Sequence, residues 1–74
     1  MVKATRITNN IRALRAANGE MTQADLAERI GVTRQTVIAI EQSRYSPSLE
    51  VAFQIADALG VPLDRVFQYP GGVS

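Results

Sequence analysis

Apolar residues recur at helical spacing in short bursts, and each burst is bounded by residues that start or stop a helix. Ile11 and Leu14 lie three apart on one predicted face; Asn9 or Asn10 can cap them, and Gly19 is a good stop. A second helix is predicted from Thr22, with Asp25 completing an Asp version of the capping box, Leu26, Ala27 and Ile30 apolar, and Gly31 as terminator. A third is capped by Thr33 and buries Val37 and Ile40. The run QSRYSPS reads as a loop, because Ser46 precedes Pro47 and that pair disfavours helix. A fourth helix starts at Ser48, turns Leu49, Ala52, Ile55, Ala56 and Leu59 inward, and ends at Gly60. A fifth, short, runs from about Pro62 to Phe67. Short helices on short connections predict an all-α, compact five-helix bundle. Residues 1–8 read as an arm or short strand, 9–67 as one domain, and 68–74 as a short frayed tail.

One junction is unusually tight. Only Gly31-Val32-Thr33 separates the second helix from the third, too little to fold the two back antiparallel. Such a connection sets them at a steep angle, as in a helix-turn-helix. The start of the third helix then projects from the body. Val37 and Ile40 hold one side to the core, so Arg34, Gln35 and Ile38 face elsewhere. B-DNA's major groove admits a helix; Arg makes forked contacts with guanine, Gln with adenine, and an apolar side chain suits a thymine methyl. The alternative is an ordinary helical hairpin with a solvated polar turn.

Composition narrows the choice of function. The 74 residues are 46% hydrophobic, ordinary for a folded domain and against disorder. A domain this small buries only about 60% of its unfolded surface, so a partner copy would stabilise it. No apolar run reaches the length of a membrane span, and MVKATRITNN lacks the apolar centre of a signal peptide, which predicts a cytoplasmic protein. There is no Cys and no His, which removes disulfides, most metal sites and the commonest catalytic nucleophiles and bases. Asp25 and Glu28, three apart beside Arg29, read as a solvated helix face and not an acid–base pair, so no enzyme activity, cofactor, metal or small-molecule ligand is expected. Net charge is only +1, but residues 1–48 hold seven of the eight basic side chains against four acidic ones, while residues 49–74 hold one against three. Seven of the eight are Arg, the side chain suited to forked phosphate and guanine contacts; chance asymmetry on a solvated surface is the other reading.

The stretches MTQADLAERIGVTRQTVIAIE and RYSPSLEVAFQIADALGVPLDRVF together resemble the Cro/repressor-type helix-turn-helix proteins, the XRE family. The likeness spans roughly Ile11 to Phe67 and is nearest to the small stand-alone regulators. It implies a lambda-repressor-like fold and sequence-specific binding of double-stranded DNA. By that resemblance Thr33, Arg34, Gln35 and Thr36 meet the groove, with Ile38 and Ala39 following. Gln23 corresponds to a residue that anchors a DNA phosphate, a role that a helix amino terminus also favours; a plain polar first-turn residue is the alternative. Arg44 and Tyr45 fall in the loop that lies along the DNA backbone, though Tyr45 is equally read as packing on the core. Arg12 is a further phosphate candidate, with Lys3 and Arg6. Arg15 and Glu41 occupy the positions of an ion pair that fixes the third helix. The chain departs from the family where Ala39 replaces a polar or basic residue, where Gln42-Ser43 replaces Asn-Gly, and where the turn before the second helix is one residue longer.

One short reading helix covers few bases, so a symmetric homodimer on a palindromic operator is expected. The apolar surface around Val61, Pro62, Leu63 and Val66 is one candidate interface. The termini are another, because RIT (6–8) and FQY (67–69) are β-prone and can pair as a two-stranded β ribbon. The expected role is a transcriptional regulator, specifically a repressor that occludes a promoter. The alternative is an antitoxin or adaptor whose main task is to hold a protein partner.

Overall fold

The computed structural model describes residues 5–70; the proposed Lys3 contact and the last four tail residues lie outside that range. The elements run β1 (Thr8–Asn9), α1 (Ile11–Ala17), α2 (Gln23–Ile30), α3 (Arg34–Glu41), α4 (Leu49–Leu59), α5 (Leu63–Val66) and β2 (Phe67–Gln68). All five predicted helices form, and the termini close into the anticipated ribbon. β1 pairs antiparallel with β2, Thr8 opposite Gln68 and Asn9 opposite Phe67. Gln68, read from sequence as the start of a frayed tail, is therefore part of the fold.

Capping chemistry sets the boundaries. Thr22 Oγ1 accepts the Asp25 N–H at 3.0 Å while the Asp25 carboxylate accepts the Thr22 N–H at 3.1 Å, a reciprocal capping box. Thr33 and Ser48 cap α3 and α4 by the one-way bond alone, accepting from the Thr36 and Val51 N–H groups. At α1 the work is divided. Asn10 occupies the N-cap without a side-chain cap bond, and Asn9 Oδ1 accepts the Ile11 N–H at 3.1 Å.

The ends of α2, α3 and α4 use left-handed residues. Gly31 closes α2 at φ 76°, and Val32 N donates back to Ala27 O. α3 ends in the same motif without glycine. Ser43 sits at φ 57°, its N–H bonds Ile40 O, and the Arg44 N–H bonds Ala39 O. A left-handed conformation costs a non-glycine residue about 1–2 kcal/mol. The Ser43 hydroxyl offsets part of that by donating to Ile7 O at 3.1 Å.

The core is continuous through all five helices: Ile11, Leu26, Val37, Ile40, Ile55 and Val66 are fully buried. Two apolar positions depart from the sequence reading. Leu49, expected to face inward, is 69% exposed; it is the first residue of α4, and the core-facing stripe begins one turn later at Ala52. Val66, expected at a dimer surface, is 0% exposed. The antiparallel pairing of β2 with β1 folds this last α5 residue beneath the amino-terminal segment, where Val66 O also accepts the Asn10 N–H. Among the described residues no helix is long and apolar enough to cross a membrane.

Candidate nucleic-acid interface

The geometry of α3 follows from how its two ends are treated. Val37 and Ile40 are buried, so one stripe is fixed to the body. At the amino end, Arg34 and Gln35 are both exposed. Ile38 and Ala39 are half-buried, so they present less surface than the first turn. Thr33 is exposed and spends its hydroxyl on the cap, and the Thr36 hydroxyl lies 2.9 Å from it. Of the six positions expected to read bases, Arg34 and Gln35 have the freest side chains, and the two threonines chiefly build the helix start.

The carboxyl end of α3 is held from three directions. Arg15 of α1 makes a forked pair with Glu41, Nε to Oε2 at 2.7 Å and Nη2 to Oε1 at 3.2 Å. The side chains are only 13% and 9% exposed, so the pair is largely desolvated. Arg15 Nη1 also donates to Met21 O at 2.8 Å, which pins the loop between α1 and α2. Gln23 of α2 donates from Nε2 to Glu41 Oε1 at 3.2 Å. From the β1 side, Asn9 Nδ2 donates to the carbonyls of Ile40 and Glu41 at 3.1 and 3.2 Å. The sequence signalled Arg15 and Glu41 through the family resemblance. It did not signal Gln23 or Asn9 as their companions, because those contacts join residues 18 to 32 apart in the chain.

Three of the proposed DNA-contacting residues surround one open depression of about 620 Å³. Arg12, Gln23 and Arg34 line it, with Thr22 and Gln42, and the Arg15–Glu41 pair forms part of its wall. The depression opens at the amino end of α2, where unbonded N–H groups and the helix dipole favour an anion. Gln23 keeps one amide hydrogen and its carbonyl oxygen beyond the bond to Glu41. Arg44 does not line it, but its Nη1 donates at 3.3 Å to Oε1 of Gln42, which does. Tyr45 is exposed and does not belong to the core cluster, which removes the reading that packs it on the core. In the capping box behind the depression, the Thr22 backbone N–H, and then its side chain, hold the Asp25 carboxyl below the usual range.

The helix-turn-helix family profile matches residues 11–66, which covers every helix and both sides of this depression. The chain belongs to the XRE-type helix-turn-helix family. It is a transcriptional regulator with a helix-turn-helix DNA-binding fold. An HTH-type transcriptional regulator of Methanocaldococcus jannaschii is 48% identical over 61 residues, covering 82% of this chain and 91% of that protein. The immunity repressor protein of Bacillus phage phi105 is 33% identical over 60 residues, 81% of this chain but 41% of the repressor. Among solved structures, the restriction-modification controller protein C.AhdI of Aeromonas hydrophila superposes with a TM-score of 0.68 at 31% identity, over 74% of this chain and 82% of that one. In this XRE-type regulator, then, the exposed turn of α3 and the depression beside it form the candidate interface.

Proposed function

We propose that this regulator binds a palindromic DNA operator as a homodimer and represses transcription by occluding a promoter. The observation that carries the reading is the contrast within α3: Arg34 and Gln35 stand free at one end while the other end is bonded to α1, α2 and β1. A rigidly mounted helix with a polar, forked-donor first turn suits base edges in the major groove. Arg34 and Gln35 read bases, with Thr33, Thr36, Ile38 and Ala39 lining the approach. Arg12, Gln23, Arg44 and Tyr45 meet the sugar–phosphate backbone and set the register. The repressor role is supported by the likeness to the phage immunity repressor.

Self-association is supported by exposed apolar surface away from the reading end. Leu49 and Phe53 lie one turn apart on α4 with most of their side chains in solvent. Leu49 also borders a groove of about 310 Å³ lined by Ile7, Leu63 and Phe67. Together with Pro62 and half-buried Val61 they form the surface offered to a second copy.

Selection of bound sequences from a pool of random duplexes tests this reading. Enrichment of a palindrome whose half-site centres lie about one helical turn apart is the expected result. A protein that enriches no sequence and retains no duplex at low salt would refute it.

A further inference from the structure

We infer that Asn9 is a positioning residue for DNA reading: its side-chain amide sets the angle of α3 from the β ribbon. This rests on the proposal that α3 reads bases. Both the oxygen and the amide group of the Asn9 side chain are engaged. Its Oδ1 accepts the Ile11 N–H, and its Nδ2 group donates to the last two carbonyls of α3. One residue thus joins the start of α1 to the end of the reading helix. It is itself held in β1 opposite Phe67. The Ser43 hydroxyl, donating to Ile7 O, repeats the attachment just beyond the helix.

The mechanical consequence follows from length. Arg34 and Gln35 lie about six residues from the Asn9 bonds, roughly 9 Å along the axis at 1.5 Å per residue. A tilt of about 10° at the clamp would move the first turn by about 1.5 Å, whereas good hydrogen-bond distances span only about 0.5 Å. The Arg15–Glu41–Gln23 contacts hold α3 through the Glu41 carboxylate. Only the Asn9 amide grips its terminal backbone carbonyls from another element among the described residues. Losing it leaves α3 held by its buried stripe, by the Ser43–Ile7 bond and through the Glu41 carboxylate, with its last two carbonyls no longer fixed to the ribbon.

The experiment compares Asn9→Asp with the parent. Asp keeps an oxygen for the Ile11 N–H and so preserves the α1 cap, but it has no hydrogens for the α3 carbonyls. Affinity for the selected operator is expected to fall about five- to a hundredfold, the range of a lost base contact. Affinity for a random duplex of equal length should fall much less, only by the general weakening that one added negative charge brings to phosphate binding. Equal loss on both duplexes, or no loss on the operator, overturns the inference.

Asn9→Ser, which keeps a short acceptor but falls short of α3, repeats the test if the Asp variant is too unstable to purify. NMR supplies a readout that needs no DNA: the amide resonances of Arg34, Gln35 and Thr36, which do not touch Asn9, should move in either variant. Unmoved resonances there overturn the inference, even if the protein proves to bind no duplex and only the DNA reading is lost.

Discussion

At the scale of single residues, the Arg15–Glu41 pair is the most consequential contact. Both charges are largely out of water, so removing one strands the other. Breaking a buried pair in this way costs about 3–5 kcal/mol. Arg15→Ala also frees the Met21 carbonyl, and its melting temperature should drop by more than about 10 °C in thermal unfolding followed by circular dichroism. A variant that melts with the parent would show the pair to be ornamental. On the reading face, Gln35→Ala is expected to cost about 1–3 kcal/mol on the selected operator and to relax one base position. Arg44→Ala should weaken operator and random duplex alike. Titrations of both variants on both duplexes separate the roles, and identical behaviour would contradict the assignment. The residue roles divide by legibility. Arg34 and Gln35 stood out in the sequence as polar residues before an apolar pair. The Asn9 contacts did not, because an asparagine before a helix looks like a cap, and half of its function is spent 31 residues away.

At the scale of elements, local chemistry and context divide differently. The starts of α2, α3 and α4 lie where Thr22, Thr33 and Ser48 place them, since an N-cap acts within three residues and needs no tertiary partner. Gly31 ends α2 for an equally local reason. The end of α3 was less visible, because Ser43 adopts the glycine-like conformation and owes it partly to the bond its hydroxyl donates to Ile7 O. The α2 capping box also has a pH signature. Asp25 has a lowered pKa in the folded chain, so the unfolded chain takes up that proton more readily. Its contribution is therefore complete above the ordinary Asp range, near pH 4, and is lost as pH falls through the lower folded value. Asp25→Asn should destabilise the protein at neutral pH and flatten the acid side of its stability profile. Urea unfolding of both proteins between about pH 2 and 7 checks this. An unchanged acid limb would mean that the box contributes nothing through its charge.

At the scale of the whole molecule, one small core has to hold a helix that projects its working end into solvent. The bundle does this by bonding the far end of α3 to three elements and leaving the near end to its own cap. The exposed apolar surface is the remaining asset of the fold. Leu49 was expected inside and Val66 outside, and the structure reverses both. The surface available to a second copy therefore shifts from α5 alone toward α4, where Phe53 is 54% exposed. Phe53→Glu places a charge in the middle of that surface. Sedimentation equilibrium should show the parent as a dimer and the variant as a monomer, with helical circular dichroism unchanged. Operator affinity should become steeply dependent on protein concentration in the variant. A variant that remains dimeric would place the interface elsewhere.

Helix number, helix starts, the tight turn and the polar first turn of α3 were determined by sequence alone. Each depends on interactions within a few residues, and such interactions leave a local pattern. Tertiary structure alone decided which ends are anchored, which apolar residues meet water and how the ribbon grips α3. Those outcomes depend on pairs far apart in the chain, such as Asn9 with Glu41 and Gln23 with Glu41, whose meeting no local spacing encodes.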